Sequence, residues 1–147
     1  MSSYLNFFVR SKNGDFTKIA SYSRNHYIYD VYGAPYEKIT LVTLENLQVA
    51  MDNLNNRKEM LEENIELAEE MIKYICSFPV ESSTALESKM SAINEQKELI
   101  NGYKDDIKQV ELARSHLSFI YDAIAMDIYS KIYAGVEISN PTKEDIV

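Results

Sequence analysis

The sequence predicts a mainly α protein with a small β part: an N-terminal β-hairpin head on a long antiparallel helical hairpin, paired as a coiled coil and oligomeric. Three observations predict it. The first 40 residues hold nine of the 16 Phe and Tyr, in two β-favouring runs around an Asn-Gly pair. From residue 43 onward, apolar positions recur at alternating steps of three and four. Only 4 Gly and 3 Pro interrupt 147 residues, so long regular elements are expected. That length suits one domain with one sizeable core, divided into a head over residues 1–40 and a helical body over residues 41–147.

The runs Tyr4–Arg10 and Phe16–Tyr22 are rich in aromatic and branched residues. Asn13-Gly14 between them is the strongest short hairpin signal, because a type I′ turn needs positive φ at both central residues. In a regular ladder, Val9 then faces Lys18, Phe7 faces Ala20 and Leu5 faces Tyr22. One face is mostly apolar. The other carries Asn6 with Ser21, Phe8 with Ile19 and Arg10 with Thr17, and is expected to meet solvent or a ligand. Beyond the hairpin, Tyr27, Ile28, Val31 and Tyr32 fall at helical spacing, which predicts a short helix stopped by Gly33 and Pro35.

Leu44, Leu47, Met51, Leu54, Lys58, Leu61, Ile65, Ala68, Ile72 and Ile75 form a seven-residue repeat, with Thr43 as the expected N-cap. Ser77–Glu81 breaks the helix, and Thr84–Glu87 has the form of a capping box. A second helix is expected from about residue 85 to residue 134, stopped by Gly135, with Val136–Ile138 as a possible third strand. Its seam runs from Leu86 to Ile128 and slips where Lys97, Ile100 and Tyr103 succeed each other by threes. The short connection makes the two helices antiparallel. The longer second helix is expected to overshoot, and its apolar end (Phe119–Tyr133) to form a shelf beneath the head. Lys58, Lys97 and Arg114 occupy seam-like positions, read as register control or as long side chains snorkelling past neighbouring acids such as Glu62, with a cationic pocket between helices of a multimer as the alternative. Beside the seams lie further apolar residues, Met60, Leu67, Met71, Tyr74 and Phe78 on one helix and Ala85, Ala92, Leu99, Ala113 and Ile120 on the other. They widen the apolar face beyond what two helices cover and point to self-association.

The formal net charge of -8 is unevenly spread. Residues 1–40 carry five Lys/Arg against three Asp/Glu, and residues 41–147 carry ten against twenty. So acidic a body disfavours DNA or RNA as a partner. The single cysteine, Cys76, excludes an internal disulfide and reads as a buried inert thiol. With no signal-peptide pattern and no long apolar run, the expected setting is the cytoplasm, with no membrane partner. His26 and His116 fit no metal-ligand spacing, and His116 reads as a surface or seam residue; no Gly-rich phosphate loop occurs and no cofactor is implied. Enzymatic chemistry is therefore not expected.

The best ligand-binding candidates lie in the head: Asn6, Arg10, Tyr22, Ser23, Arg24, Asn25, His26 and Tyr27. Arginine offers a planar donor fork to phosphate or carboxylate, and tyrosine a face for a base or ribose. Together they suit a small anionic, nucleotide-like ligand.

The run from Tyr4 to Thr40, followed by the acidic hairpin and Ile132–Thr142, resembles small proteins encoded by bacterial phages and prophages. The resemblance covers most of the chain and carries no functional motif. In architecture, a β-containing head on self-associating helices is similar to phage anti-defence sponges. That similarity implies a non-enzymatic oligomer in the bacterial host cytoplasm, sequestering a cyclic-nucleotide or ADP-ribose-type immune signal. The alternative is a coiled-coil protein that binds and blocks a host or phage protein.

Overall fold

The computed structural model describes residues 4–10, 13–23, 25, 27–28, 40–126 and 132–136. Its elements are β1 (Tyr4–Arg10), β2 (Phe16–Ser23), β3 (Thr40–Val42), α1 (Leu44–Cys76), α2 (Ser83–Ala125) and β4 (Ile132–Val136). Helix dominates, with one small antiparallel sheet of order β2-β1-β4-β3. The expected short helix is described only at Tyr27 and Ile28; Val31, Tyr32 and their neighbours lie outside the described residues. The same holds for the Ile128 end of the expected seam.

The chain forms two compact units, residues 1–54 with 111–147, and residues 55–110. The division does not fall at residue 40: the strands share a unit with the adjoining ends of both helices.

In the first unit, β1 and β2 form the expected hairpin. Gly14 takes a φ of 92°, which its missing Cβ permits, and the Asn13 side chain accepts a hydrogen bond from the Asp15 amide at 3.4 Å. Leu5, Asn6 and Phe7 pair with Tyr22, Ser21 and Ala20 as the sequence predicts. Phe8, Val9 and Arg10 instead pair with Lys18, Thr17 and Phe16. The extra residue is Ile19, a β-bulge on β2. The physical reason lies in the facing residues. A regular ladder sets Lys18 opposite Val9, on the face that carries Leu5 and Phe7 into the core. The bulge turns Lys18 to the other face and exposes it, avoiding the burial of an ammonium group. It also moves Phe16 to the face of Phe8 and Tyr133, where Phe16 meets the Tyr133 ring edge-on at 5.7 Å.

Two strands differ from expectation. β3 was not foreseen before α1, although Thr40-Leu-Val42 is a branched run. β4 occupies Ile132–Val136, so α2 ends at Ala125 and Gly135 lies inside a strand rather than stopping a helix. β4 pairs with both β1 and β3, and β1 is therefore interior to the sheet. Leu5 through Val9 are all buried, which corrects the expectation of one exposed hairpin face. Leu5, Phe7, Val9, Ile132, Ala134 and Val42 share one face by register. α2 lies against it, with His116 stacked on the Tyr22 ring at 3.6 Å and Phe7 edge-on to the same ring at 5.9 Å. Leu47, Ala50, Met51 and Leu54 from α1, and Ala113, Leu117 and Ile120 from α2, complete the buried set. Of the shelf expected over Phe119–Tyr133, Ile120 is buried, but Phe119 and Met126 are exposed and Ile132 and Tyr133 belong to β4. Leu117, buried beside Ile120, precedes the expected stretch.

Thr43 caps α1: its hydroxyl accepts from the Asn46 amide at 3.2 Å, while the Asn46 side chain accepts from the Thr43 amide at 3.0 Å. The α2 cap is Ser82, two residues before the expected Thr84, and its hydroxyl accepts from the Ala85 amide at 3.1 Å. In the second unit the helices form a hairpin across residues 77–82. Lys89 Nζ closes it by donating to the carbonyls of Cys76 (3.1 Å) and Phe78 (2.7 Å). Leu61, Ala68, Ile100 and Val110 are buried on the expected seam, but Leu86 and Met90, expected at its start on α2, are exposed. Lys58 is half-buried, whereas Lys97 and Arg114 are exposed and do not occupy the core-like positions their spacing suggested.

Candidate functional site

The structure divides the head candidates. Tyr22 lies opposite Leu5, and Arg10 lies five positions further along β1 at the turn end, roughly 17 Å away at about 3.4 Å per residue. Arg10 therefore does not join the Tyr22–Tyr27 group. Asn6 is buried, and its side-chain oxygen accepts a 2.7 Å hydrogen bond from the Ser21 hydroxyl. Ser23 is exposed at the end of β2. Asn25 is buried and organises its own backbone: its side chain accepts from the Tyr27 amide at 3.0 Å and its carbonyl from the Ile28 amide at 3.1 Å. Tyr27 is half-buried nearby in sequence. Arg24 and His26 lie outside the described residues.

Tyr22 is the best-defined of these residues, and its partner was not legible in the sequence. The His116 ring lies parallel to it, with 8° between planes. That contact covers one of the Tyr22 ring faces a nucleobase would need. Burial raises the Tyr22 hydroxyl above its ordinary pKa of 10.0 and lowers the His116 imidazole below its ordinary 6.5. Nδ1 of His116 is buried and has no hydrogen-bond partner among the described residues, so a proton there gains no acceptor from them. The folded protein thus binds this proton less readily than the unfolded chain. The contribution to stability is complete above pH about 6.5 and declines as pH falls below it. His116→Phe keeps a stacked ring and removes the titration. It is expected to flatten the decline in thermal midpoint between about pH 7 and pH 5. Equal declines in both proteins would remove His116 as the cause.

The remaining surfaces offer little to an anion. A notch on α2 around Gly102 is lined by Leu99 and Tyr103 but also by Glu95, Glu98 and Asp106, whose carboxylates repel phosphate. A second depression, at the start of α1, is lined by Thr43, Glu45, Asn46, Val49, Ala50 and Asn53. Among the described residues, no three His, Cys, Asp or Glu side chains cluster to hold a metal. Cys76 is exposed rather than buried, and its backbone carbonyl is held by Lys89.

The helical hairpin has a more distinctive surface. Met60, Leu67, Met71, Tyr74 and Phe78 leave 45–63% of their area in solvent. Tyr74 and Phe78 pack edge to face at 4.9 Å. Exposed large apolar groups aligned in a row along one helix mark an interaction surface rather than scattered accidents. No helix among the described residues is long and apolar enough to cross a membrane. Comparison with protein-family models, curated proteins and solved structures returned no match to this chain.

Proposed function

We propose that the protein is a non-enzymatic interaction module that binds another protein chain through its helical hairpin. The exposed apolar series from Met60 to Phe78 carries this reading. The sheet unit consumes its aromatic and amide groups internally, in the Tyr22–His116 stack and the Asn6–Ser21 and Asn25 hydrogen bonds. The hairpin leaves its apolar groups unused. This favours the protein-blocking or assembly role over nucleotide capture by the head, which asks Arg10 and Tyr22 to act together across the length of a strand.

The test is a photo-activated cross-linker placed at Leu67 or at its neighbour Glu66 in cells expressing the full chain. Protein adducts are expected from Leu67 and not from Glu66. No adduct at either position, together with retention of a nucleotide by the purified protein in equilibrium dialysis, overturns this reading and restores the head as the binding site.

A further inference from the structure

The exposed stripe belongs to a larger pattern. With Lys58, Ile65 and Ile72 at heptad position a and Leu61, Ala68 and Ile75 at d, residues Met60, Leu67 and Tyr74 fall at c and Met71 at g. Phe78 extends the row through its contact with Tyr74. On α2 the inward residues are Ile93 and Ile100 at a and Lys89, Gln96 and Tyr103 at d, whereas Met90 and Lys97 are exposed; Ala85, Ala92 and Leu99 then fall at g. Positions c and g both lie on the d side of the seam. Turning one helix antiparallel to the other brings these two flanks to the same side of the pair. Both sets therefore share one face of the hairpin.

From Arg57 to Leu99, the helical c and g positions contain one acid, Glu95, which lines the notch beside Leu99. The opposite flank, at b and e, carries Glu59, Glu62, Glu66, Glu69 and Glu87. One face is largely apolar; the other is strongly acidic.

We propose that the apolar face pairs with the same face of a second copy, forming a four-helix bundle about a two-fold axis parallel to the helices. This rests on the interaction reading above and names the partner. The face is self-complementary in size. Counted outward from Pro79–Val80, Tyr74 stands level with Ala85, Leu67 with Ala92 and Met60 with Leu99. A two-fold axis along the helices preserves those levels and sets α1 over the partner's α2. Tyr74 then covers the partner's Ala85, and Leu67 covers the partner's Ala92, large over small in both directions. Charge agrees: pairing through this face turns the glutamate flanks outward, whereas pairing through the other would oppose them. The exposed parts of the large apolar residues amount to on the order of 600 Å² before their neighbours are counted, against about 800 Å² per partner in a standard interface.

The test is sedimentation of the full chain. The expected particle has twice the 16.9 kDa mass of one chain. Leu67→Glu combined with Tyr74→Glu is expected to weaken the dimer at least about a hundredfold. Both sites are exposed, so far-UV helicity should be kept. Glu66→Ala should leave the dimer intact. In a Cys76→Ser background, mixing a Leu67→Cys copy with an Ala92→Cys copy should give mainly the mixed disulfide. Wild-type monomer at the highest soluble concentration overturns the proposal. So does a dimer indifferent to the glutamate pair, or a predominance of Leu67→Cys homodisulfides. A monomer whose Leu67 cross-links to a different protein in cells leaves the interaction function standing and removes only the second copy.

Discussion

Phe7→Ala is expected to cost about 3–5 kcal/mol of folding stability, the range for a fully buried aromatic cut to a methyl group. Phe7 is 0% exposed in an interior strand. Its loss removes apolar burial and leaves a cavity between β1 and α2 that backbone hydrogen bonding on both edges of β1 keeps from closing. The edge-on contact to Tyr22 is lost with it, and Tyr22 in turn supports the stack with His116. Urea unfolding should show an earlier midpoint with little change in slope, as expected for altered stability rather than altered compactness. The near-ultraviolet tyrosine signal should weaken in the folded baseline. A loss below about 1 kcal/mol would mean that the sheet core repacks freely around this position.

Ile132→Pro is the second large effect. Ile132 is fully buried in β4 and lies opposite both Val9 and Val42. Proline lacks the amide proton and fits poorly inside a strand paired on both sides. The cost is expected to reach about 3 kcal/mol or more, with loss of the sheet unit's cooperative transition. Ile132→Val separates this from side-chain packing: it keeps the donor and should cost only about 0.5–1.5 kcal/mol. Similar losses for the two variants, followed by thermal denaturation, would show that β4 contributes packing without a needed ladder.

The helices were legible because their signals are local. The three-four spacing of apolar residues and the Thr43 cap place α1 almost to the residue, and Leu61 and Ala68 lie buried where the repeat puts them. Asn13-Gly14 placed the hairpin turn for the same reason. The errors are non-local. Ile132 to Val136 follows an apolar helical stretch, and only pairing with β1 and β3 decides that it is a strand. The bulge depends on which face β1 presents to the helices, which strand sequence alone does not reveal. Arg114 and Lys97 fit the heptad count, yet exposure was decided by how each helix turns toward its neighbours.

The candidate site divides in the same way. Asn6 and Asn25 have binding chemistry, but hydrogen bonds to Ser21 and to the local backbone use it in structure. His116 could be read only as a helix residue until the fold set it against Tyr22. The apolar series from Met60 to Phe78 was visible from the start, because a second stripe beside a seam is itself a periodic signal.

The extra residue at Ile19 makes the hairpin arm sensitive to parity. Adding or deleting one residue between Gly14 and Ile19 would exchange inward and outward side chains, bringing a lysine toward hydrocarbon and an aromatic ring away from its tyrosine. Adding or deleting two would restore the assignment. Length variation in this short arm is therefore confined to even steps, a constraint imposed by a single unpaired residue rather than by the turn itself.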